Sequence, residues 1–390
     1  MPDFPACDLI VAGSGFFGAT IAERCADELG LRVLVLERRA HLGGNAWSET
    51  DPDTGIEVHT YGSHLFHTNS EEVWTYVNRF SGFSNYRHRV ITRHRDRFFT
   101  MPLNLGTLST LFGRFLTPAD AKAIVAAEVA ESGITHPANL EEKAISLVGR
   151  SMYEAFIKGY TEKQWQTDPR ALPADIITRL PVRFTFDDFY FNDRFEGLPL
   201  TGYGEIFKRM FATPGITALT GVDYFDVKPQ LPAAVPVIYT GPVDRYFGFS
   251  QGELGWRTLD FQREVVPAGD FQGASVVNYP DADVAFTRIH EFRHLHPERS
   301  YRADKTVIFK EFSRFAARGD EPYYPINTPT DKARYDAYRV MAEAEPGVIF
   351  GGRLGTYRYL DMHQAIGAAL RVFDSQLVPH FRAGKALKAG

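Results

Sequence analysis

The sequence predicts an α/β protein: a parallel sheet flanked by helices, joined by a helical insertion and by an antiparallel sheet. Three observations lead there. Residues 8–18 run a short apolar strand straight into a glycine-rich turn, with a helical pattern and a second apolar strand behind it. Residues 102–178 carry helix-start signals of a different texture. Segments between Trp256 and Phe315 alternate with the period of two that marks half-buried strands.

The bulk properties bound what such a chain does. At 390 residues it exceeds one ordinary core and implies two or three domains. Its 44% hydrophobic and 23% charged content is that of a soluble globular protein. A net charge of −5 argues against general nucleic-acid binding, while leaving room for local basic clusters around an anionic small molecule. No membrane-spanning run and no signal segment in Met1 to Cys7 are found, so a cytoplasmic location is expected. Cys7 and Cys25 have no metal or disulfide spacing and read as small buried hydrophobes.

Taken in order, Asp8 to Gly18 opens the chain with G-x-G-x-x-G. Gly13 permits the tight turn, Gly15 lets backbone approach a pyrophosphate, and Gly18 brings the helix from Ala19 to Leu29 onto the strand. The next strand, Arg32 to Leu36, ends on Glu37, placed to accept from ribose hydroxyls. This is a Rossmann-like dinucleotide signature, for FAD or NAD. The pair Gly43-Gly44 before Asn45 favours FAD, whose folds pass backbone beside the cofactor there. His64 and His67 in Tyr61 to Thr68 lack a completing ligand set for metal, and no metal is expected.

A helix is expected from Ser70 to Phe80 and a hairpin from Tyr86 to Thr100. Thr117-Pro118-Ala119-Asp120 reads as a capping box launching a helix to about Ser132, and Asn139 with Glu142 as a second start, continuing in pieces to Tyr160. Phe156 and Tyr160 share a helical face and lead to Trp165, an aromatic edge that suits core packing or a stacked base. Arg183 to Phe191 looks strand-like. A helix from Gly202 to about Phe211, a buried strand from Val235 to Gly241 and the alternating segments up to Phe315 follow. Gly347 to Phe350 is a last strand, Gly351-Gly352-Arg353 a turn, and Asp361 to Leu377 a helix whose positive end favours an anionic partner. The expected domains are 1–76, 199–247 and 346–390 for the dinucleotide, 102–178 for the helical insertion, and 77–101, 179–198 and 248–345 for the antiparallel sheet.

No G-x-S-x-G, C-x-x-C, H-E-x-x-H or Walker lysine loop appears, so a bound flavin must carry the reaction. Arg179, Arg257 and Arg288, from three segments, are the candidate anion holders, since guanidinium forks match phosphate oxygens.

These motifs carry a resemblance. Asp8 to Asn45, Tyr61 to Thr68, Gly159-Tyr160-Thr161-Glu162-Lys163-Gln164-Trp165, Pro322-Tyr323-Tyr324-Pro325 and Gly352 to Met362 closely resemble the bacterial UDP-galactopyranose mutases over nearly the whole chain. The resemblance implies interconversion of UDP-galactopyranose and UDP-galactofuranose, a precursor for cell-surface glycans, on reduced FAD without net redox change. It implies attack of flavin N5 on the anomeric carbon, loss of UDP, and ring opening and reclosure through a flavin iminium. An external reductant such as NAD(P)H and a homo-oligomeric state are expected with it. The implied flavin site is Gly13, Ser14, Gly15, Phe17, Gly18, Glu37, Arg38, Gly44, Asn45, Tyr61, His64, Arg353, Tyr359, Asp361 and Met362. The implied catalytic residues are Arg179, Arg288 and His67. Phe156, Tyr160, Thr161, Trp165, Tyr190, Arg257, Tyr324, Tyr359 and His88 would complete the substrate contacts, with Arg179 on a mobile loop closing over the diphosphate. Ser63, where relatives commonly carry Pro, and His88, where some carry Asn, depart from the family pattern. Two other readings of the same fold are an amine-oxidase-type flavoenzyme and a non-catalytic binding module like the chaperones of prenylated GTPases.

Overall fold

In the computed structural model, which describes residues 4–177 and 180–387, the strand Leu9–Ala12 lies at the centre of a five-stranded sheet. Its neighbours are Val33–Glu37 on one side, with Ile216–Thr220 beyond, and Val237–Tyr239 on the other, with Val348–Phe350 beyond. Every pairing is parallel, with Leu9 opposite Val33 and Ile10 opposite both Leu34 and Val237. Such strands read as unbroken apolar runs because both faces are covered. Leu9, Val11, Val33 and Val35 face a core built on helices Phe16–Leu29, Tyr203–Phe211 and Met362–Val372. The alternate residues Ile10, Ala12, Leu34 and Leu36 face a second core containing Tyr338 from helix Pro329–Glu343. Cys7 and Cys25 are free and buried, as expected.

A second sheet has seven strands, in the order Tyr324–Pro325, Trp256–Val266, Thr306–Phe315, Arg288–Glu291, Val276–Asn278, Val90–His94 and Arg97–Met101. Its pairings are antiparallel except one. The hairpin Val90–His94/Arg97–Met101 joins through a parallel pair, Val277 opposite Ile91, so this sheet is mixed rather than wholly antiparallel. The hairpin is remote in sequence from its partner strand, and a long connection permits either direction.

The helical insertion begins as the capping signals predict. Helix Pro118–Ser132 starts on a Thr117/Asp120 capping box and ends at the left-handed Gly133, and helix Leu140–Val148 starts on Asn139. The chain then runs through a short helix Arg150–Met152 and a widened turn Tyr153–Ile157 into helix Lys158–Trp165. This segment packs on the hairpin through Phe99, Leu103 and Phe156.

Three local expectations are corrected. Arg183 to Phe191 forms no strand; its one bridge is Phe189 with Arg89. The guanidinium groups of Arg87 and Arg89 lie 3.6 and 4.3 Å from the Phe189 ring centroid, so side-chain stacking holds the segment where a ladder was expected. The turn at Gly351 to Arg353 continues as one helical turn, Gly352–Gly355. The last helix does not stop at Leu377 but passes a widened turn, Phe373–Leu377, into Val378–Ala383. No helix among the described residues is long and apolar enough to cross a membrane.

Candidate active site

One cavity of about 1340 Å³ runs from the first glycine turn to the face of the mixed sheet. That exceeds the usual range for a single small ligand, roughly 300–1,000 Å³, and leaves space for two.

At one end, the three glycines of the turn have three different surroundings. A Cβ on Gly13 would lie 2.0 Å from Thr240 Oγ1, and one on Gly18 would lie 2.1 Å from the Gly13 carbonyl. A Cβ on Gly15 would meet no protein atom within 4 Å, so that side of the turn faces open cavity. The helix behind it has no side-chain cap and no acidic residue in its first turn, leaving its N–H groups to an anion. Gly44 packs on this turn, its added Cβ falling 3.3 Å from the Gly15 Cα. Ser14 ties the two glycine turns together: its Oγ donates to Glu37 Oε2 at 2.6 Å and accepts from Gly43 N at 3.0 Å. Glu37 also accepts from the backbone N–H groups of Ser14 and Arg39. Its carboxylate therefore braces the turn as well as facing the cavity. Beside it Arg39, which the sequence reading passed over for Arg38, donates to Asn45 Oδ1 at 2.8 Å and stacks on Tyr61 with 4.5 Å to the ring centroid. Its Nη1 is buried without a protein partner and belongs to the cavity wall. These features fit an extended anionic dinucleotide.

In the middle, His64 Nδ1 meets the Gly62 carbonyl at 2.7 Å while its backbone N–H donates to His59 Nδ1 at 2.9 Å. Burial pushes the His64 imidazole down to about 4, so it is neutral near pH 7. Arg353 donates to the carbonyls of Pro322 and Tyr323, which anchors the Tyr323-Tyr324 pair to the same wall. Asp361 and Met362 stand at the start of helix Met362–Val372, with Asp361 N donating to Gln364 Oε1 at 2.9 Å. His67 stacks on Phe191 with centroids 3.7 Å apart, and its Nδ1 is hydrogen-bonded to Asp193. Ligand atoms of His67, Asp361 and His363 lie within 4.8 Å of one another, yet the positive end of the helix beneath them disfavours a cation.

At the far end, Phe156, Tyr160, Tyr190, Arg288, Tyr324, Tyr359 and His88 line the cavity together. Arg288 is hydrogen-bonded to the Tyr160 hydroxyl, and its Nε lies 3.3 Å from Glu311 Oε1. Glu311 also meets His290 Nε2 at 3.0 Å, and His290 Nδ1 meets Ser63 Oγ at 2.8 Å. Burial opposes the charge on Glu311, but Arg288 and His290 beside it hold its carboxyl at about 2. Burial likewise opposes the Arg288 guanidinium, which Glu311 keeps firmly protonated. Burial pushes His88 down to about 3. Tyr324 and Tyr359 stack with ring centroids 5.7 Å apart, and both line the cavity.

Three expected contacts fall elsewhere. Arg257 is fully buried in the sheet, where its guanidinium donates to Ser313 Oγ at 3.0 Å and Gln166 Oε1 at 3.3 Å and lies over Phe315. Thr161 is buried and Trp165 ends the same helix half-buried; neither lines the cavity. Arg179 lies outside the described residues. The Ser63–His290–Glu311 chain and Asp193 were not foreseen, since each joins segments far apart in sequence.

Comparison with known proteins follows the same outline. A family model described as GLF, UDP-galactopyranose mutase, matches residues 155–359, and one for an NAD(P)-binding Rossmann-like domain matches residues 11–80. A Klebsiella pneumoniae protein named probable UDP-galactopyranose mutase is 40% identical over 95% of this chain and 94% of its own. An Escherichia coli dTDP-fucopyranose mutase is 36% identical over 93% of this chain and 96% of its own. The crystal structure of a reduced UDP-galactopyranose mutase shares the fold, with a TM-score of 0.70 at 15% identity over 97% of this chain and 98% of that one. With a Rossmann-like match at residues 11–80 and a GLF match at residues 155–359 meeting in one cavity, the chain belongs to the UDP-galactopyranose mutase family of isomerases.

Proposed function

We propose that the protein interconverts UDP-galactopyranose and UDP-galactofuranose on a bound FAD that is active in its reduced form. The observation that supports this reading most is the single cavity, which runs from a dinucleotide-type glycine turn to an arginine, Arg288, ringed by tyrosines. A flavin held there, kept reduced by an external donor such as NAD(P)H, would provide the nucleophilic nitrogen that this isomerisation needs.

The chain's own residues do the rest. The N–H groups behind Gly15, together with Gly13, Ser14, Phe17, Gly18, Gly44 and Asn45, hold the cofactor's pyrophosphate side, with Glu37, Arg38 and Tyr61 beside it. His64, Arg353, Asp361 and Met362 would border its ring, where the dipole of helix Met362–Val372 favours negative charge. Phe156 and Tyr160 cradle the uridine. Arg288 and Arg179 hold the two sides of the diphosphate, stabilising negative charge on the departing UDP and retaining it for the return step. Tyr190, Tyr324 and Tyr359 donate to phosphate oxygens, while His67, oriented by Asp193, and His88 border the sugar. Water is the competitor to exclude here, since it would release free sugar. The same reading assigns the cofactor to segments 1–76, 199–247 and 346–390, and the substrate to the remaining two units.

An anaerobic assay of dithionite-reduced protein with UDP-galactofuranose should yield the pyranose with no stoichiometric consumption of reductant. Reductant consumed mole for mole with substrate, and no pyranose formed, would sink this reading in favour of an oxidoreductase. The dTDP-fucopyranose mutase relative motivates a parallel arm with dTDP-fucofuranose, whose faster turnover would reassign the substrate. Arg288→Ala should reduce kcat/KM by about 2–4 kcal/mol in barrier terms while flavin stays bound, because a charged contact to the diphosphate is lost. Wild-type kinetics in that variant would remove Arg288 from the anion site.

A further inference from the structure

Lys163 belongs to the helix that carries Tyr160, yet its side chain points into the loop that precedes Arg288. Its Nζ donates to four backbone carbonyls of that loop: Tyr279, Asp281 at 2.9 Å, Val284 at 3.0 Å and Phe286 at 3.1 Å. An ammonium has three N–H donors, so four acceptors saturate it and pull both limbs of the loop around one point. Burial pushes the group down to about 8, which still leaves it charged at neutral pH.

A second contact lies one helical turn earlier, on the same face. A Cβ at Gly159 would fall 2.2 Å from the Pro280 carbonyl, so helix and loop backbone touch directly there. The helix therefore meets this loop at residues 159 and 163, and both sides form walls of the cavity: Tyr160 from the helix and Ile157 from the turn before it, Asn278, Pro280 and Arg288 from the sheet side. Loop closure is completed by Tyr279 N donating to the Thr287 carbonyl at 2.9 Å, which leads directly into strand Arg288–Glu291. The Tyr160 hydroxyl then meets the Arg288 guanidinium across the gap that Lys163 sets.

We propose that Lys163 is a positioning residue for nucleotide binding: by gathering the carbonyls of residues 279–286 it fixes the spacing between Tyr160 and Arg288, and so the width of the diphosphate seat. The inference rests on the reading of the cavity given above. Lys163 touches neither ligand; it acts on both walls that do. Without the ammonium, the four carbonyls turn toward water and the loop parts from the helix, whereas the flavin end, on the parallel sheet, keeps its own supports.

Flavin-loaded wild type, Lys163→Met and Lys163→Ala would be titrated with UDP by calorimetry, with bound flavin measured in each. Lys163→Met keeps the stem's bulk but has no N–H, and should weaken UDP binding at least tenfold at unchanged flavin occupancy, raising KM more than it lowers kcat. Lys163→Ala should recover several-fold in UDP affinity on adding n-propylammonium, which replaces the lost atoms. Tetramethylammonium, a cation with no N–H, should restore nothing. UDP affinity within twofold of wild type in both variants, or equal restoration by the two cations, would overturn the proposal. Amide hydrogen exchange across residues 279–291 reads the same clasp without any ligand: Lys163→Met should exchange faster there, and unchanged protection would also overturn it. A wild-type protein that holds flavin but binds no UDP would instead defeat the reading of the cavity, with the exchange result still reporting whether Lys163 fastens the loop.

Discussion

Two glycines three residues apart differ in what stands where a side chain would go: open cavity at Gly15, packed backbone at Gly18. Gly15 has an ordinary extended backbone, φ −64° and ψ 174°, which any L residue adopts, and no protein atom stands where its Cβ would go. Gly18 has the Gly13 carbonyl at 2.1 Å in that place. Gly15→Ala should therefore leave the thermal midpoint of the flavin-free protein within about 1 °C of wild type and lower flavin occupancy. Gly18→Ala should destabilise that same flavin-free protein by about 1–3 kcal/mol, because helix and strand must part. A Gly15→Ala variant that unfolds early yet retains full flavin would reverse the assignment. Both glycines were legible from spacing alone, since the turn is local. The arginines were less so: Arg257 and Arg288 read alike as letters, and only the cross-strand Ser313 for one and the Tyr160 hydroxyl for the other distinguish a buried structural guanidinium from one on the cavity wall. Arg39 was missed because its role depends on Tyr61 and Asn45, which fold back onto it.

At the scale of elements, a Thr-Pro-x-Asp capping box marks a helix start wherever it occurs in this chain. Thr117-Pro118-x-Asp120 starts helix Pro118–Ser132, and the same pattern at Thr328-Pro329-x-Asp331 starts helix Pro329–Glu343. The two boxes differ in surroundings. Thr117 and Asp120 are exposed, whereas Asp331 is 5% exposed, takes the Thr328 hydroxyl at 2.6 Å and also accepts from Gly255 N at 3.0 Å, just before strand Trp256–Val266. Asp331 thus fastens a helix of the parallel-sheet core to the first long strand of the mixed sheet. Thr117→Ala and Thr328→Ala should each cost about 1 kcal/mol, the usual worth of a cap. Asp331→Ala should cost more, about 2–3 kcal/mol, since a buried N–H also loses its acceptor. Equal losses in denaturant midpoints for Asp331→Ala and Asp120→Ala would contradict that ranking. Elements made by side chains rather than ladders, such as residues 183–191, stay hidden from periodicity because the arginines that hold Phe189 come from residues 87 and 89.

For the whole molecule, the cavity wall makes stability depend on acid. Burial keeps His88, 3% exposed, neutral down to about pH 3, whereas an unfolded histidine takes a proton near 6.5. The unfolded state thus binds one more proton in that window, and stability is lost as pH falls from about 6.5, at about 1.4 kcal/mol per pH unit while the difference lasts. His64, pushed down to about 4, adds a slope of the same sign. Glu311 joins lower down. Against its burial, Arg288 and His290 hold it at about 2, so its contribution is present above the unfolded value near 4.5 and lost as pH falls from there toward 2. Urea unfolding measured from pH 7 to 3 should therefore show stability falling throughout, with the histidines responsible above about pH 4.5 and Glu311 adding below it. His88→Gln, which cannot titrate, should flatten the upper part by about one proton, and Glu311→Gln should flatten only the lower part while lowering stability at pH 7, because Arg288 loses its counter-charge. An upper slope unchanged by His88→Gln would mean that this imidazole is solvated and charged in the folded protein, and that this part of the cavity wall is wetter than its packing against Tyr190 and Phe191 implies.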